Sequence, residues 1–173
     1  MSNNKEQRHV QKYNPNEYNN AVLCEVCGNI TFADDYGNTD KCPNCGWMQD
    51  GGNELMEKWH GISYPMLVPL SRAREQYKAG QKFKATFEDF INGLNWYKEM
   101  LFWHNNKYYA VRYRDMGIFF ENKETERIYN SVDDFVAQAN IDGVLLKDIW
   151  GEVVHPCFMY CGVQGDYDNP PED

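Results

Sequence analysis

Four cysteines near the start of the chain have the spacing of a metal site. They form two pairs, each with two residues between its members, and fourteen residues separate the pairs: Cys24 and Cys27, then Cys42 and Cys45. A two-residue gap lets both thiolates of a pair reach one metal ion while backbone N–H groups turn toward the sulfurs. The intervening segment is long enough for a β-hairpin that returns the second pair to the first. The spacing therefore predicts one tetrahedral site with thiolate ligands only.

The metal expected at these thiolates is zinc. A zinc ion held tetrahedrally by four protein ligands has no open position for water or substrate. Gly28 and Gly46 directly follow the two pairs, where a chain that turns around a metal often needs a positive φ angle, which glycine adopts at little steric cost. Unrelated core cysteines are the plain alternative, and the glycine after each pair argues against it. We therefore expect a structural zinc ion and no reaction at this site.

Iron is the second metal that this pattern admits. Cys-x-x-Cys-Gly followed by Cys-Pro-x-Cys-Gly resembles the iron-binding knuckles of rubredoxin-type domains, which implies an electron carrier. Rubredoxins place their pairs much further apart, and rubrerythrin-like proteins with the short spacing add a helical bundle of metal-binding carboxylates. The sequence gives no sign of that bundle, so zinc is the preferred prediction and iron the alternative.

The rest of the sequence predicts an α+β fold that carries the cysteines in an N-terminal zinc ribbon. Residues 1–20 are polar and poor in aliphatic side chains, which predicts a disordered segment. We expect the ribbon and its following helix over residues 21–85 and a small α+β domain over residues 86–162. Residues 163–173 form an acidic tail that is expected to be solvated.

Capping residues predict three helices. Ser71 is expected to cap the first, which Gly80 ends. Thr86 and Asp89 resemble a capping box at the start of the second. Ser131 is expected to cap the third, which runs to about residue 139.

Aromatic, alternating segments predict an antiparallel sheet. Residues 99–104 and 107–114 are expected to form a hairpin around Asn105-Asn106, because asparagine tolerates the positive φ angles of a tight turn. Two further strands are expected within residues 118–121 and 127–129. The sequence after them predicts a last helical turn or two over residues 145–150.

Composition and charge limit the classes of function. The chain has 173 residues with 26 acidic and 17 basic side chains, which gives a formal net charge of −9. This charge repels nucleic-acid phosphates and anionic membrane surfaces, so a protein partner with a basic surface is expected. The sequence shows neither an apolar run of about 18 residues nor an apolar N-terminal stretch, so neither a membrane span nor a secretory signal is expected. We therefore expect a cytoplasmic protein, in which thiols stay reduced and serve as metal ligands.

Two other groups of residues suggest sites, and each has a plainer interpretation. His155, Cys157 and Cys161 lie close enough in sequence for a second metal site, but their aromatic neighbours favour a buried C-terminal segment. A run of basic residues after the ribbon resembles a nucleic-acid footprint, but the acidity of the whole chain favours a solvated helix face. The members of this basic run are Arg72, Arg74, Lys78, Lys82 and Lys84.

Residues 22–84 resemble the bacterial CPCC-type cysteine-rich family, whose two knuckles precede a tryptophan, acidic residues and a short helix. Trp47 and Asp50 follow the second knuckle here, and Leu70-Ser71-Arg72-Ala73-Arg74 opens the helix. The family's first knuckle usually carries an extra cysteine where this chain has Val26. The resemblance implies zinc and the ribbon fold, and it implies little about activity.

The expected function is inhibition by binding to a protein. The sequence has no phosphate-binding loop, dinucleotide fingerprint or nucleophile elbow, so no catalytic residues and no enzyme activity are expected. In size, acidity and layout the whole chain resembles the zinc-containing anti-CRISPR proteins of phages and mobile elements, which implies that it binds Cas9 and blocks DNA loading or cleavage. The alternatives are a nucleic-acid-binding ribbon, an immunity-type protein that neutralises a toxin, and the iron electron carrier.

Overall fold

The computed structural model describes residues 20–33, 41–48, 53–64 and 66–158. In chain order its elements are β1 (Asn20–Leu23), β2 (Ile30–Ala33), α1 (Asn53–His60), α2 (Leu70–Lys78), α3 (Phe87–Tyr97), β3 (Glu99–His104), β4 (Lys107–Arg114), β5 (Gly117–Glu121), β6 (Glu126–Tyr129), α4 (Val132–Gln138), β7 (Asn140–Ile141), β8 (Val144–Leu145), a 3-10 helix (Trp150–Glu152) and β9 (Val154–Phe158). Helices and an antiparallel sheet are both present, which confirms the predicted α+β class. The predicted disordered segment at residues 1–20, apart from Asn20, and the acidic tail at residues 163–173 lie outside the described residues.

Five strands form the main sheet, in the order β6-β5-β4-β3-β9. The predicted hairpin is β3 and β4, with Glu99 paired to Arg112 at one end of the register and His104 to Lys107 at the other. Asn105 and Asn106 have φ angles of 50° and 57°, as the predicted turn requires. β5 and β6 each begin one residue before the predicted strand.

The predicted caps are correct for two helices and wrong for one. The Thr86 hydroxyl accepts a hydrogen bond from the Asp89 N–H at 3.2 Å, and Asp89 accepts one from the Thr86 N–H at 2.7 Å. Ser131 caps α4 by accepting from the N–H of Asp134 at 3.1 Å. Ser71, in contrast, is already inside α2, because Pro69 occupies the N-cap position without a side-chain hydrogen bond.

Three elements differ from the sequence-based expectation. α1 is a helix that the sequence did not predict. The helical turns expected at residues 145–150 are replaced by the end of β8, a turn and the start of the 3-10 helix. β9 pairs with β3, so the segment expected only to be buried is a strand of the sheet.

A core of aromatic rings joins the sheet to the helices. Phe90 of α3 lies 4.7 Å from Trp150 and 5.7 Å from Phe102 of β3, measured between ring centroids. The Trp150 indole also donates a hydrogen bond to the carbonyl of Ala85 at 3.0 Å. The same cluster of buried residues extends to Trp47 and to two of the cysteines, so the ribbon and the sheet share one core. None of the described helices is both long and apolar enough to cross a membrane.

Candidate metal centre

The two cysteine pairs have the same local structure. In each knuckle the N–H of the first cysteine, Cys24 or Cys42, donates to the carbonyl of the residue five positions later at 2.8 Å. The N–H of the following glycine, Gly28 or Gly46, donates back to the carbonyl of that cysteine, at 2.9 Å and 2.8 Å respectively. These glycines have φ angles of 72° and 78°, which confirms the left-handed turn expected from their position. The first knuckle lies between β1 and β2, which pair with each other.

The four cysteine sulfurs meet in one cluster. Sγ of Cys24 lies 3.6 Å from Sγ of Cys45, and Sγ of Cys27 lies 3.7 Å from Sγ of Cys42. All four sulfurs lie within 4.8 Å of one another. Sulfurs about 2.3 Å from a tetrahedral metal ion are separated by about 3.8 Å, whereas a disulfide would bring two of them to about 2 Å. The cluster therefore fits one metal ion with four thiolate ligands.

Local electrostatics differ among these thiols. Burial opposes ionisation of Cys27, but hydrogen bonds from the Asn29 side chain and backbone and from Asn44 outweigh it and lower the pKa of Cys27 to about 6. The Asn29 carboxamide donates to the Cys27 sulfur at 3.4 Å. Burial raises the pKa of both Cys24 and Cys45. A divalent cation supplies the positive charge that lets all the thiols of such a cluster ionise together.

Two helices hold the first knuckle through contacts that the sequence did not suggest. Asn53, at the start of α1, donates to the Glu25 carboxylate at 3.0 Å and accepts from the Tyr64 N–H at 3.0 Å. Arg74 of α2 donates from Nε to the Glu25 carbonyl at 2.8 Å. Because Glu25 lies between the two cysteines of the knuckle, these bonds fix the backbone that presents their sulfurs.

Contacts from α2 and the residues after it hold the second knuckle. The Asn44 carboxamide donates to the Tyr77 hydroxyl of α2 at 3.0 Å. Trp47 is completely buried, and its ring meets Phe83 edge-on at 5.3 Å between centroids. The knuckle is thus attached both to the surface of α2 and to the core.

Most side chains of the basic run bind other groups of the same protein. Arg72 forms an ion pair with Asp89, the buried residue of the α3 capping box. Arg74 bonds to the first knuckle, and the Lys84 amine donates to the Gly151 carbonyl at 2.5 Å. These contacts account for three of its cations without a nucleic-acid ligand.

Arg72 pairs with a buried carboxylate and Lys78 is exposed, so replacing each by alanine is expected to change the stability by different amounts. Arg72→Ala removes the partner of a buried carboxylate and is expected to lower the free energy of unfolding by about 1–3 kcal/mol. Lys78→Ala, on the exposed end of the same helix, is expected to change it by less than about 0.5 kcal/mol. Urea unfolding followed by circular dichroism measures both. Equal losses in the two variants would show that the Arg72–Asp89 pair contributes nothing specific.

The suggested second metal site is only partly within the described residues. Cys157 is buried in β9, as expected, and the His155 ring lies edge-on to Trp103 at 6.4 Å between centroids. Cys161 lies outside the described residues. Within the described ranges, the four-cysteine cluster is the only group of three or more His, Cys, Asp or Glu side chains placed to hold a metal ion.

Comparison with protein-family models, with curated proteins and with solved structures gives no match to this chain. No family is therefore identified for this chain, and the resemblance of residues 22–84 to the CPCC-type family stays a prediction from the sequence. The structure itself shows a mixed α+β protein whose N-terminal cysteines form a cluster of the zinc-ribbon type.

Proposed function

We propose that this chain is a zinc-binding protein-interaction module without catalytic activity. The observation that carries the proposal is the cluster of the Cys24, Cys27, Cys42 and Cys45 sulfurs, which all lie within 4.8 Å of one another. When bound, zinc supplies a charge that joins two chain segments into one folded unit. The short separation of the two pairs favours zinc over a rubredoxin-like iron site.

We infer the absence of catalysis because protein ligands fill all the coordination positions of the zinc ion. Four thiolates complete the tetrahedron of a zinc ion, so water and substrate have no coordination position. Cys24 and Cys42 are buried, and they pack into the common core of the protein. A site of this kind stabilises the fold, and the function then belongs to the surface that the fold presents.

The charge of that surface supports a basic partner. The chain carries a formal net charge of −9. Among the described residues between β5 and the 3-10 helix, three basic residues, Lys123, Arg127 and Lys147, are exposed, and so are five carboxylates: Glu124, Glu126, Asp133, Asp142 and Asp148. Opposite charges across an interface raise the association rate and select the partner. An immunity-type protein against a basic toxin would use the same complementarity with another target.

The target that we propose is Cas9, whose DNA-handling channel is positively charged. The expected result is that the purified protein co-purifies with a type II nuclease and reduces its DNA cleavage, with binding that weakens as salt rises. Replacing Glu124 and Glu126 together by glutamine is expected to weaken binding. Lys147→Gln, which removes an exposed positive charge, serves as the control and is expected to leave binding intact. No complex and undiminished cleavage would end the Cas9 proposal.

A further inference from the structure

A polar pocket lies at one end of the main sheet. It has a volume of about 100 Å³ and is formed by β4, β5 with the loop after it, β6 and the β7-β8 hairpin. Its apolar lining residues are buried, and the rings of Tyr109 and Phe120 lie 5.6 Å apart between centroids. No residue of the ribbon lines this pocket. It is therefore separate from the metal centre.

Three charged side chains that line the pocket have no ion pair within the described part of the chain. Lys107 begins β4, Glu124 lies in the loop between β5 and β6, and Asp142 lies in the turn between β7 and β8. Glu121, the other carboxylate of the lining, pairs with Arg112 instead. The lining therefore presents one cation and two carboxylates that are unpaired among the described residues.

These three charges lie around the hydroxyl of Tyr109. Burial raises the pKa of Tyr109; a hydrogen bond with the Asn122 side chain and the charge of Lys107 lower it, and the charges of Asp142 and Glu124 raise it. Such effects act over roughly one Debye length, about 8–10 Å. Lys107 nevertheless pairs with neither carboxylate, because each of the three groups is held by a different element. Opposite charges held apart around an open space fit a ligand that carries both charges.

The second cation of the lining, Arg127, is held in place by its neighbours. Its guanidinium donates to the side-chain oxygen of Asn140 at 2.9 Å and to the Asn140 carbonyl at 3.3 Å. Both contacts use one nitrogen, so other N–H donors of the guanidinium remain for a ligand. In the loop before it, the Asn122 side-chain oxygen accepts from the N–H groups of Glu124 and Thr125, each at 2.8 Å. The loop and the guanidinium are thus ordered before a ligand binds, which lowers the entropy lost on binding.

We propose that this pocket binds a free α-amino acid with a short apolar side chain. The carboxylate of the ligand pairs with Lys107 and Arg127. Its ammonium group pairs with Glu124 and Asp142, and its side chain packs on the ring of Tyr109. Such a ligand completes charge pairs that the described residues leave open, and charge-assisted hydrogen bonds are the stronger kind. A small-molecule site of this kind adds to the proposed function and does not depend on it.

Ligands with one kind of charge fit these residues less well. An anion such as phosphate would pair with Lys107 and Arg127 but would also meet Glu124 and Asp142. A metal ion would meet both cations, and among the described residues only the cysteine cluster is placed to hold one. A neutral ligand would leave the charges of the pocket unpaired. Analogues of an amino acid that carry a single charge are therefore the competing ligands in the test.

The test is isothermal titration calorimetry of the full-length, zinc-loaded protein with three ligands: L-valine, isobutylamine and isovalerate. Isobutylamine lacks the carboxylate of valine, isovalerate lacks its ammonium group, and both keep the isopropyl group. We expect saturable binding of L-valine with a Kd of about 1 mM or below. Each analogue leaves one pair of charges in the pocket without a partner and is expected to bind at least about tenfold more weakly.

Variants of the lining test the same pairs from the side of the protein. Asp142→Asn is expected to weaken binding of L-valine at least about tenfold, because it removes a charge that pairs with the ammonium group. Asp142 has a φ angle of 51°, which asparagine also adopts, so the turn is preserved. Lys107→Gln is expected to weaken binding about threefold to tenfold. Asp148→Asn makes the same change at an exposed carboxylate outside the lining, so it is the matched control, with an expected change below about twofold.

Any of three results would overturn the proposal: no saturable heat with L-valine, an analogue that binds as tightly as L-valine, or equal affinity for L-valine in Asp142→Asn and wild type. Tight binding of an analogue would show that the pocket takes a simple cation or anion. Zinc content and circular dichroism show whether each variant is folded. Lys107 and Asp142 are both exposed, so their replacement is expected to leave the fold intact.

Discussion

Cys42→Ser is expected to abolish metal binding and to unfold the ribbon. The Cys42 side chain is 2% exposed, and its sulfur lies 3.7 Å from that of Cys27. Serine replaces a strong thiolate ligand by a hydroxyl that zinc binds poorly, and it leaves that hydroxyl buried. Structural zinc contributes about 10–16 kcal/mol to the folding of small zinc domains, which matches the whole stability of a typical domain of about 5–15 kcal/mol. The loss of one ligand therefore has a larger expected effect than removal of a surface contact.

Metal analysis and thermal unfolding measure this effect. Wild type is expected to hold about one zinc ion per chain and to melt at a lower temperature after treatment with a chelator. Cys157→Ser is the matched control, because Cys157 is also buried but lies outside the cluster. This control is expected to keep its zinc. The metal site would be contradicted by a wild-type protein without metal, or by a Cys42→Ser protein whose zinc content and melting temperature are unchanged. A red protein that absorbs visible light would identify the metal as iron.

The consequences of metal loss are expected to reach beyond the ribbon. Cys24, Cys42 and Trp47 belong to the same buried cluster as Phe90 and Phe102, which support the sheet. Unfolding the knuckles would expose one side of that cluster. A single cooperative transition is therefore expected in wild type, and its midpoint should fall when zinc is removed.

Features encoded by neighbouring residues were predictable from the sequence. The cysteine spacing with its glycines predicted the knuckles, because positive φ and two ligands in one turn are local requirements. Asn105-Asn106 predicted the hairpin, and Thr86 with Asp89 predicted the capping box. In each case the residues that carry the signal are at most four positions apart.

Features that depend on tertiary contacts were not predictable. α1 is not predicted by hydrophobic periodicity, because Leu55 and Trp59, two of its three large apolar residues, are exposed to solvent. Ser71 has the residue type of a cap, but its N–H donates to the Glu57 carboxylate at 3.1 Å, fourteen residues earlier in the chain. Arg74 reaches the Glu25 carbonyl across a separation of 49 residues. No local pattern encodes contacts over such separations.

Gly117→Ala is expected to destabilise the sheet strongly. Gly117 begins β5 with a φ angle of 131°, and a Cβ atom at this position would overlap the backbone carbonyl oxygen of Tyr129. Tyr129 pairs with Ile118 across β5 and β6, and its ring meets Phe135 edge-on at 5.4 Å, so relief of the overlap would disturb both contacts. Backbone strain of about 1–2 kcal/mol and overpacking of about 1–3 kcal/mol together predict a loss of about 2–5 kcal/mol.

Thermal unfolding measures this loss, and Gly143→Ala separates its two causes. For a chain of this size the expected fall in melting temperature for Gly117→Ala is about 5–15 °C. Gly143 also has a positive φ angle, of 85°, but a Cβ atom there would meet nothing within 4 Å. Its replacement adds backbone strain alone and is expected to cost about 1 kcal/mol. If the melting temperature falls equally in the two variants, β6 can move away from Gly117 without cost. The close approach of β5 to Tyr129 would then not stabilise the sheet.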